Sequence, residues 1–181
     1  GKTAPEAAEA ALNRLRATDS LEACAAADLV IEAVVEDLPL KQDLFRRLEA
    51  WLRPEALLAS NTSSLSVSAL AAATRRPERV LGLHFFNPPL LMALVEVVGG
   101  DRTSAATLAA GLAFVRALGK TPVVCADTPA FIVNRVARPF YGEALRLLGE
   151  QAAEPAVIDA LVRSLGFKLG PFELVYLIGV D

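Results

Sequence analysis

Apolar residues change their spacing several times along this chain, and each change predicts an element. Between Pro5 and Arg16, the residues Ala7, Ala8, Ala11, Leu12 and Leu15 recur at helical intervals among good helix formers, which predicts a helix. Leu29–Val35 is instead a short apolar run rich in β-branched residues, the pattern of a strand buried on both faces of a parallel sheet. It stops at Glu36 and Asp37. Pro39 then begins a helix whose Leu40, Leu44, Phe45, Leu48 and Trp51 form one apolar stripe. Ala56–Ala59 predicts a second strand, Val67–Ala73 a brief helix and Val80–Phe86 a third strand.

Strands alternating with helices over short connections define an α/β chain, with a partial Rossmann-type doubly wound sheet. Leu94–Val98 predicts a further strand, Ala105–Leu118 a helix and Thr121–Val124 a short strand. From Ala130 the pattern changes, with helices over about 130–148, 155–165 and 171–178 and no strand between them. Pro139 should kink or end the first of these, because a proline removes one helical hydrogen bond and its ring clashes with the preceding turn. Two domains are therefore expected, a sheet region over 1–126 and an all-helical region over 127–181.

Composition narrows the classes. With 54% apolar residues the chain can build a core, and a net charge of -3 without a Lys/Arg block leaves no electrostatic footprint for nucleic acid or membrane. Cys24 and Cys125 are too few for a disulfide scaffold and lack metal-ligand spacing, so no metal site is expected. The first residues carry no signal-peptide pattern, and no long uninterrupted apolar run occurs. The expected location is the cytoplasm.

Ligands of α/β sheets bind beyond the carboxyl ends of the strands, and Glu36, Ser63, and His84 with Asn87 all fall there. His84 is the single histidine. An imidazole exchanges a proton near neutral pH but needs a partner to orient its second nitrogen, and Glu96, inside the next strand, is the nearest suitable carboxylate. A buried carboxylate without a partner is costly, so the two residues answer each other. Ser63 supplies a hydroxyl, and Asn134, at the start of the helical region, can reach across a cleft. A hydroxyl, an amide and an imidazole around one oxygen suit oxidation of an alcohol to a ketone. Blander readings remain for each residue. His84 can be a packing residue between apolar runs, Ser63 a helix cap, Asn134 a packing amide, and Asn87 with Pro88 and Pro89 a turn. Glu36 and Lys41 can contact a ribose or a nicotinamide-bearing arm, or form a solvated charge pair at a helix start.

The segments DLVIEAVVE at 28–36, ASNTSSL at 59–65, LHFFNP at 83–88, LVE at 94–96, DTPAFIVNR at 127–135 and GPFEL at 170–174 resemble, in order and spacing, the NAD-dependent 3-hydroxyacyl-CoA dehydrogenase family. The resemblance implies oxidation of an (S)-3-hydroxyacyl-CoA to the 3-ketoacyl-CoA with hydride passing to NAD, in fatty-acid or phenylacetate catabolism, by a homodimer. It makes His84 the base, Glu96 its orienting carboxylate, and Ser63 and Asn134 the ligands of the substrate oxygen. Glu36, Lys41 and Asn61 would line the NAD side and Asn87 the site floor. The stretch Arg135–Leu148 resembles the branch that handles 3-hydroxyadipyl-CoA, where Arg138 would meet the distal carboxylate.

The chain also departs from the family pattern. The dinucleotide fingerprint G-x-G-x-x-G is absent, and the sequence enters the nucleotide-binding domain midway. Residues 1–126 would then be the later portion of that domain and 127–181 the start of a substrate-binding and dimerisation domain. The expected consequences are an open edge on the strand at Leu29–Val34 and a 181-residue chain that is weak or inactive by itself. Ala130 stands where family members often have glycine, a change that is tolerated if its φ is negative. Two competing readings are a dehydrogenase of free 3-hydroxy acids and a non-catalytic helical dimerisation module.

Overall fold

The computed structural model describes residues 4–179. Five strands form one sheet in sequence order: β1 (Leu29–Glu32), β2 (Leu57–Ser60), β3 (Val80–Phe85), β4 (Leu94–Gly99) and β5 (Thr121–Ala126). The first three are parallel, β4 is antiparallel to β3, and β5 is parallel to β4. The reversal follows from connection length. Residues 86–93 hold no helix, and a parallel crossover needs roughly a dozen residues or more.

Strand alternation divides the core in two. Leu57, Ala59, Leu81, Leu83, Val95 and Val97 face α4 (Ala105–Ala117) through Leu108, Leu112 and Val115. Leu58, Val80 and Val98 point the other way, onto α2 (Leu38–Trp51) and α3 (Val67–Ala71). Glycine is required at position 82, because a Cβ there would lie 2.9 Å from Val98 Cβ and 3.0 Å from Val67 Cγ2. Its absence lets α3 settle against the sheet beside the strand ends.

Several boundaries differ from the sequence expectations for local reasons. Helix α1 (Pro5–Leu12) ends short of Arg16, in turns where Arg14 and Leu15 donate to Ala11 and Leu12. Strand β1 ends at Glu32 rather than Val35. The Glu32 carboxylate accepts the Val34 N–H at 2.6 Å and draws the chain out of the ladder, leaving Val35 exposed. Asp37 caps α2 by accepting from Leu40 N–H at 2.8 Å. The buried face of that helix carries Lys41, Phe45 and Leu48, whereas Leu40 and Trp51, expected in the apolar stripe, are exposed.

The helical region holds α5 (Val133–Gly149), α6 (Pro155–Ser164) and α7 (Pro171–Ile178), with α7 packed on both of the others. Buried Asp159 accepts the Phe172 and Glu173 N–H groups at 2.9 and 3.2 Å, closing the first turn of α7. Helix α5 passes through Pro139 without ending, so of the two effects expected there the break does not occur. Its start also differs from expectation. Ala130 and Phe131 have φ of 65° and 49°, so they form a left-handed turn rather than the first residues of the helix. The condition of a negative φ at Ala130 is therefore not met.

Candidate active site

The hairpin of β3 and β4 makes His84 and Glu96 register partners on the α2/α3 face of the sheet. His84 Nδ1 lies 2.7 Å from Glu96 Oε2, and both side chains are buried. Glu96 Oε1 accepts the N–H groups of Ile132 and Val133, each at 2.9 Å. One carboxylate thus holds the imidazole and the first donors of α5 together. A carboxylate is an acceptor, so Nδ1 donates, and in the neutral tautomer this leaves the lone pair on Nε2. Phe86 and Phe131 flank the ring at centroid distances of 4.5 and 5.7 Å and restrict its rotation. The neighbouring Cys125 thiol is pushed up to about 11 by burial and then by the Glu96 charge, so it stays neutral beside the pair.

A cavity of about 680 Å³ opens over this centre, lined by Ser63, His84, Asn87, Asn134, Arg138 and Tyr141 among others. That size suits a small-molecule site. Asn134, Arg138 and Tyr141 follow one another at helical spacing along α5 and present one face of the helix to the cavity. The structure therefore brings His84, Ser63 and Asn134 together around one space, with Glu96 buried behind the imidazole. Ser63 does not cap α3, since Ser66 does so by accepting the Ala69 N–H at 3.1 Å.

The residues expected on the cofactor side fall into two groups. Glu36 and Asn87 line the cavity. Lys41 does not. It is 1% exposed, with Nζ bound to Glu32 Oε1 at 2.7 Å, Val34 O at 3.1 Å and Glu36 Oε2 at 3.1 Å. Of the charge pair expected to be solvated, Glu36 is exposed but Lys41 is buried against Glu32, because it occupies a core position of α2. Asn61 directs Oδ1 to the Phe85 N–H at 2.9 Å and joins the ends of β2 and β3 instead of lining the cavity. Burial raises the Glu36 carboxyl, but donors from Thr62, Lys41 and Ser63 outweigh it and hold the group below the usual carboxylate range.

Sequence reasoning missed Glu32, Thr62 and Tyr141. Glu32 interrupts an apolar run, which signals a paired buried charge, and Tyr141 stands at helical spacing from Asn134 and Arg138. Thr62 carried no separate signal within its polar cluster.

The profile of the 3-hydroxyacyl-CoA dehydrogenase NAD binding domain matches residues 1–128, and that of the 3-hydroxyacyl-CoA dehydrogenase C-terminal domain matches residues 131–181. The chain belongs to the 3-hydroxyacyl-CoA dehydrogenase family. A 3-hydroxyadipyl-CoA dehydrogenase of Escherichia coli K12 is 52% identical over 100% of this chain and 38% of its own length. A probable 3-hydroxybutyryl-CoA dehydrogenase of Deinococcus radiodurans is 42% identical over 97% of this chain and 64% of its own. The crystal structure of a 3-hydroxybutyryl-CoA dehydrogenase from Escherichia coli K12 superposes with a TM-score of 0.93 at 52% identity, covering 99% of this chain and 38% of that one. The chain thus spans between 38% and 64% of the length of these 3-hydroxyacyl-CoA dehydrogenase relatives.

Proposed function

We propose that the protein carrying this chain oxidises the hydroxyl of an (S)-3-hydroxyacyl-CoA to the ketone, with NAD as hydride acceptor. The observation that carries this reading is the His84–Glu96 contact of 2.7 Å, which leaves Nε2 available at a cavity shared with Ser63 and Asn134. A bound nicotinamide supplies the acceptor for the hydride leaving C3. His84 Nε2 takes the hydroxyl proton, and the imidazolium that forms is stabilised by Glu96. Ser63 and Asn134 orient the substrate oxygen as its charge changes. In the reducing direction His84 returns the proton.

The residues at the strand ends fit the nicotinamide end of a dinucleotide. Glu36 and Asn87 line the same cavity as His84, which puts polar groups beside the reacting bond. Arg138, on the same helix face as Asn134, favours an acyl chain ending in a carboxylate, as in the substrate named for the relative from Escherichia coli. Self-association through the helical region is supported by an open apolar groove of about 540 Å³ bounded by Phe140, Leu147, Ile158 and Val162, among others. The free thiols of Cys24 and Cys125 suit the cytoplasm.

NADH formation from 3-hydroxybutyryl-CoA and 3-hydroxyadipyl-CoA, set beside the corresponding free acids, tests the reading. Turnover of the thioesters and not of the acids is expected, and turnover confined to the acids would overturn it. Arg138→Ala should impair 3-hydroxyadipyl-CoA selectively. Equal losses on both thioesters would remove Arg138 from the specificity argument.

A further inference from the structure

The loop that carries Ser63 is gripped by two carboxylates with one ammonium between them. Glu36 Oε1 accepts from the Thr62 hydroxyl, from the Ser63 N–H at 3.0 Å, from the Ser64 N–H at 3.2 Å and from the Ser64 hydroxyl at 3.2 Å. Its Oε2 meets Lys41 Nζ at 3.1 Å. Lys41 is fixed in turn by Glu32 Oε1 at 2.7 Å. Glu32 Oε2 accepts the Ser60 hydroxyl at 2.6 Å, and Ser60 Oγ accepts the Thr62 N–H at 3.1 Å. Glu36 therefore takes four donors from the consecutive residues Thr62, Ser63 and Ser64, and Glu32 fixes Ser60 at the end of β2. None of these bonds engages the Ser63 hydroxyl, and Ser63 lines the cavity beside His84.

We infer that Glu36, braced by Lys41 and Glu32, is a positioning residue that acts on the reaction through Ser63. The inference rests on the proposed function for the role of the Ser63 hydroxyl. Charge-assisted hydrogen bonds to backbone N–H groups hold a loop more firmly than neutral ones, and a displacement of about 1 Å in a reacting group can cost about 10²-fold in rate. Replacing the carboxylate by an amide sets an NH2 group against either Lys41 or the Ser63 and Ser64 N–H groups. Donor then faces donor, and the loop relaxes.

The test is a double-mutant cycle in the complete protein, with Ser63→Ala, Glu36→Gln and the pair, read as kcat for oxidation of 3-hydroxybutyryl-CoA. Ser63→Ala should lower kcat by about 10²-fold, Glu36→Gln by about 10-fold, and the pair no further than Ser63→Ala alone. NADH affinity, followed by its fluorescence on each variant, separates a loss at the cofactor from a loss through Ser63. Hydrogen exchange at the Ser63 and Ser64 amides should quicken. Losses that multiply in the pair, an unchanged kcat for Glu36→Gln, or weakened NADH binding without coupling to Ser63 would overturn the inference, the last by making Glu36 a direct cofactor ligand. If the wild-type protein fails to oxidise the thioester, the proposed function falls by itself. Amide exchange then decides the hold of Glu36 on the loop, and exchange unchanged in Glu36→Gln would end it.

Discussion

Two buried charge clusters occupy the same face of one sheet and serve different ends. At β1 and β2, Glu32, Lys41 and Ser60 engage one another, and every charged atom of Lys41 and Glu32 has a partner inside the protein. At β3 and β4, His84 and Glu96 are buried almost as deeply, yet the imidazole gives only Nδ1 to its carboxylate and turns to a cavity. Burial alone does not separate a structural ion pair from a chemical one. What separates them is an unengaged atom with room beside it.

That contrast is broken most directly at His84. His84→Ala should lower kcat by about 10²- to 10⁴-fold while leaving the fold in place. Steady-state kinetics together with a thermal melt check it, and retained turnover would remove the base from the mechanism.

Lys41→Met should act first on stability. Removing one partner of a buried pair leaves an uncompensated charge and costs about 3–5 kcal/mol, here at Glu32, whose side chain is fully enclosed. Urea unfolding measures the loss. A change within experimental error would mean that the carboxylate finds water or a proton at no cost.

A smaller effect is expected at Ala130, whose left-handed turn delivers the Ile132 and Val133 N–H groups to Glu96. Left-handed φ costs an alanine about 1–2 kcal/mol, and glycine's greater freedom in the unfolded chain returns part of that. Ala130→Gly should therefore stabilise modestly, by about 0.5 kcal/mol on balance. A lower urea midpoint would show that the turn carries no strain.

The smallest effect concerns acid. Burial raises the Asp127 carboxyl, but donors from Ser68, Ser66 and Val67 outweigh it and hold the group below its usual value, as the donors around Glu36 do there. Both groups bind fewer protons folded than unfolded near their ordinary pKa of about 4. The stability they contribute is complete above that value and is lost as pH falls through the lower folded ones. Urea midpoints measured against pH should decline in that window, and Asp127→Asn should flatten the decline.

Much of this was legible in the chain. Spacing of apolar residues located all five strands and the helices, and the placement of chemistry-bearing residues at strand ends drew attention to Ser63, His84 and Asn87. Boundaries were less legible wherever a side chain took over a backbone donor, as Glu32 does at Val34 and Glu36 does at Ser63 and Ser64. The bonds of Glu36 join residues distant in sequence, and no local pattern encodes them.

The sequence by itself determined which segments alternate and which fall on one helical face, because those periods follow from backbone geometry and the partition of apolar groups out of water. It also placed a lone imidazole and a carboxylate on facing strands. Only the tertiary structure decided that Lys41 is enclosed, that Ala130 and Phe131 turn left-handed, and that Glu96 divides its oxygens between His84 and the start of α5. Those outcomes depend on packing and on hydrogen-bond partners brought together from across the chain, where burial leaves each polar group to find its match within the protein.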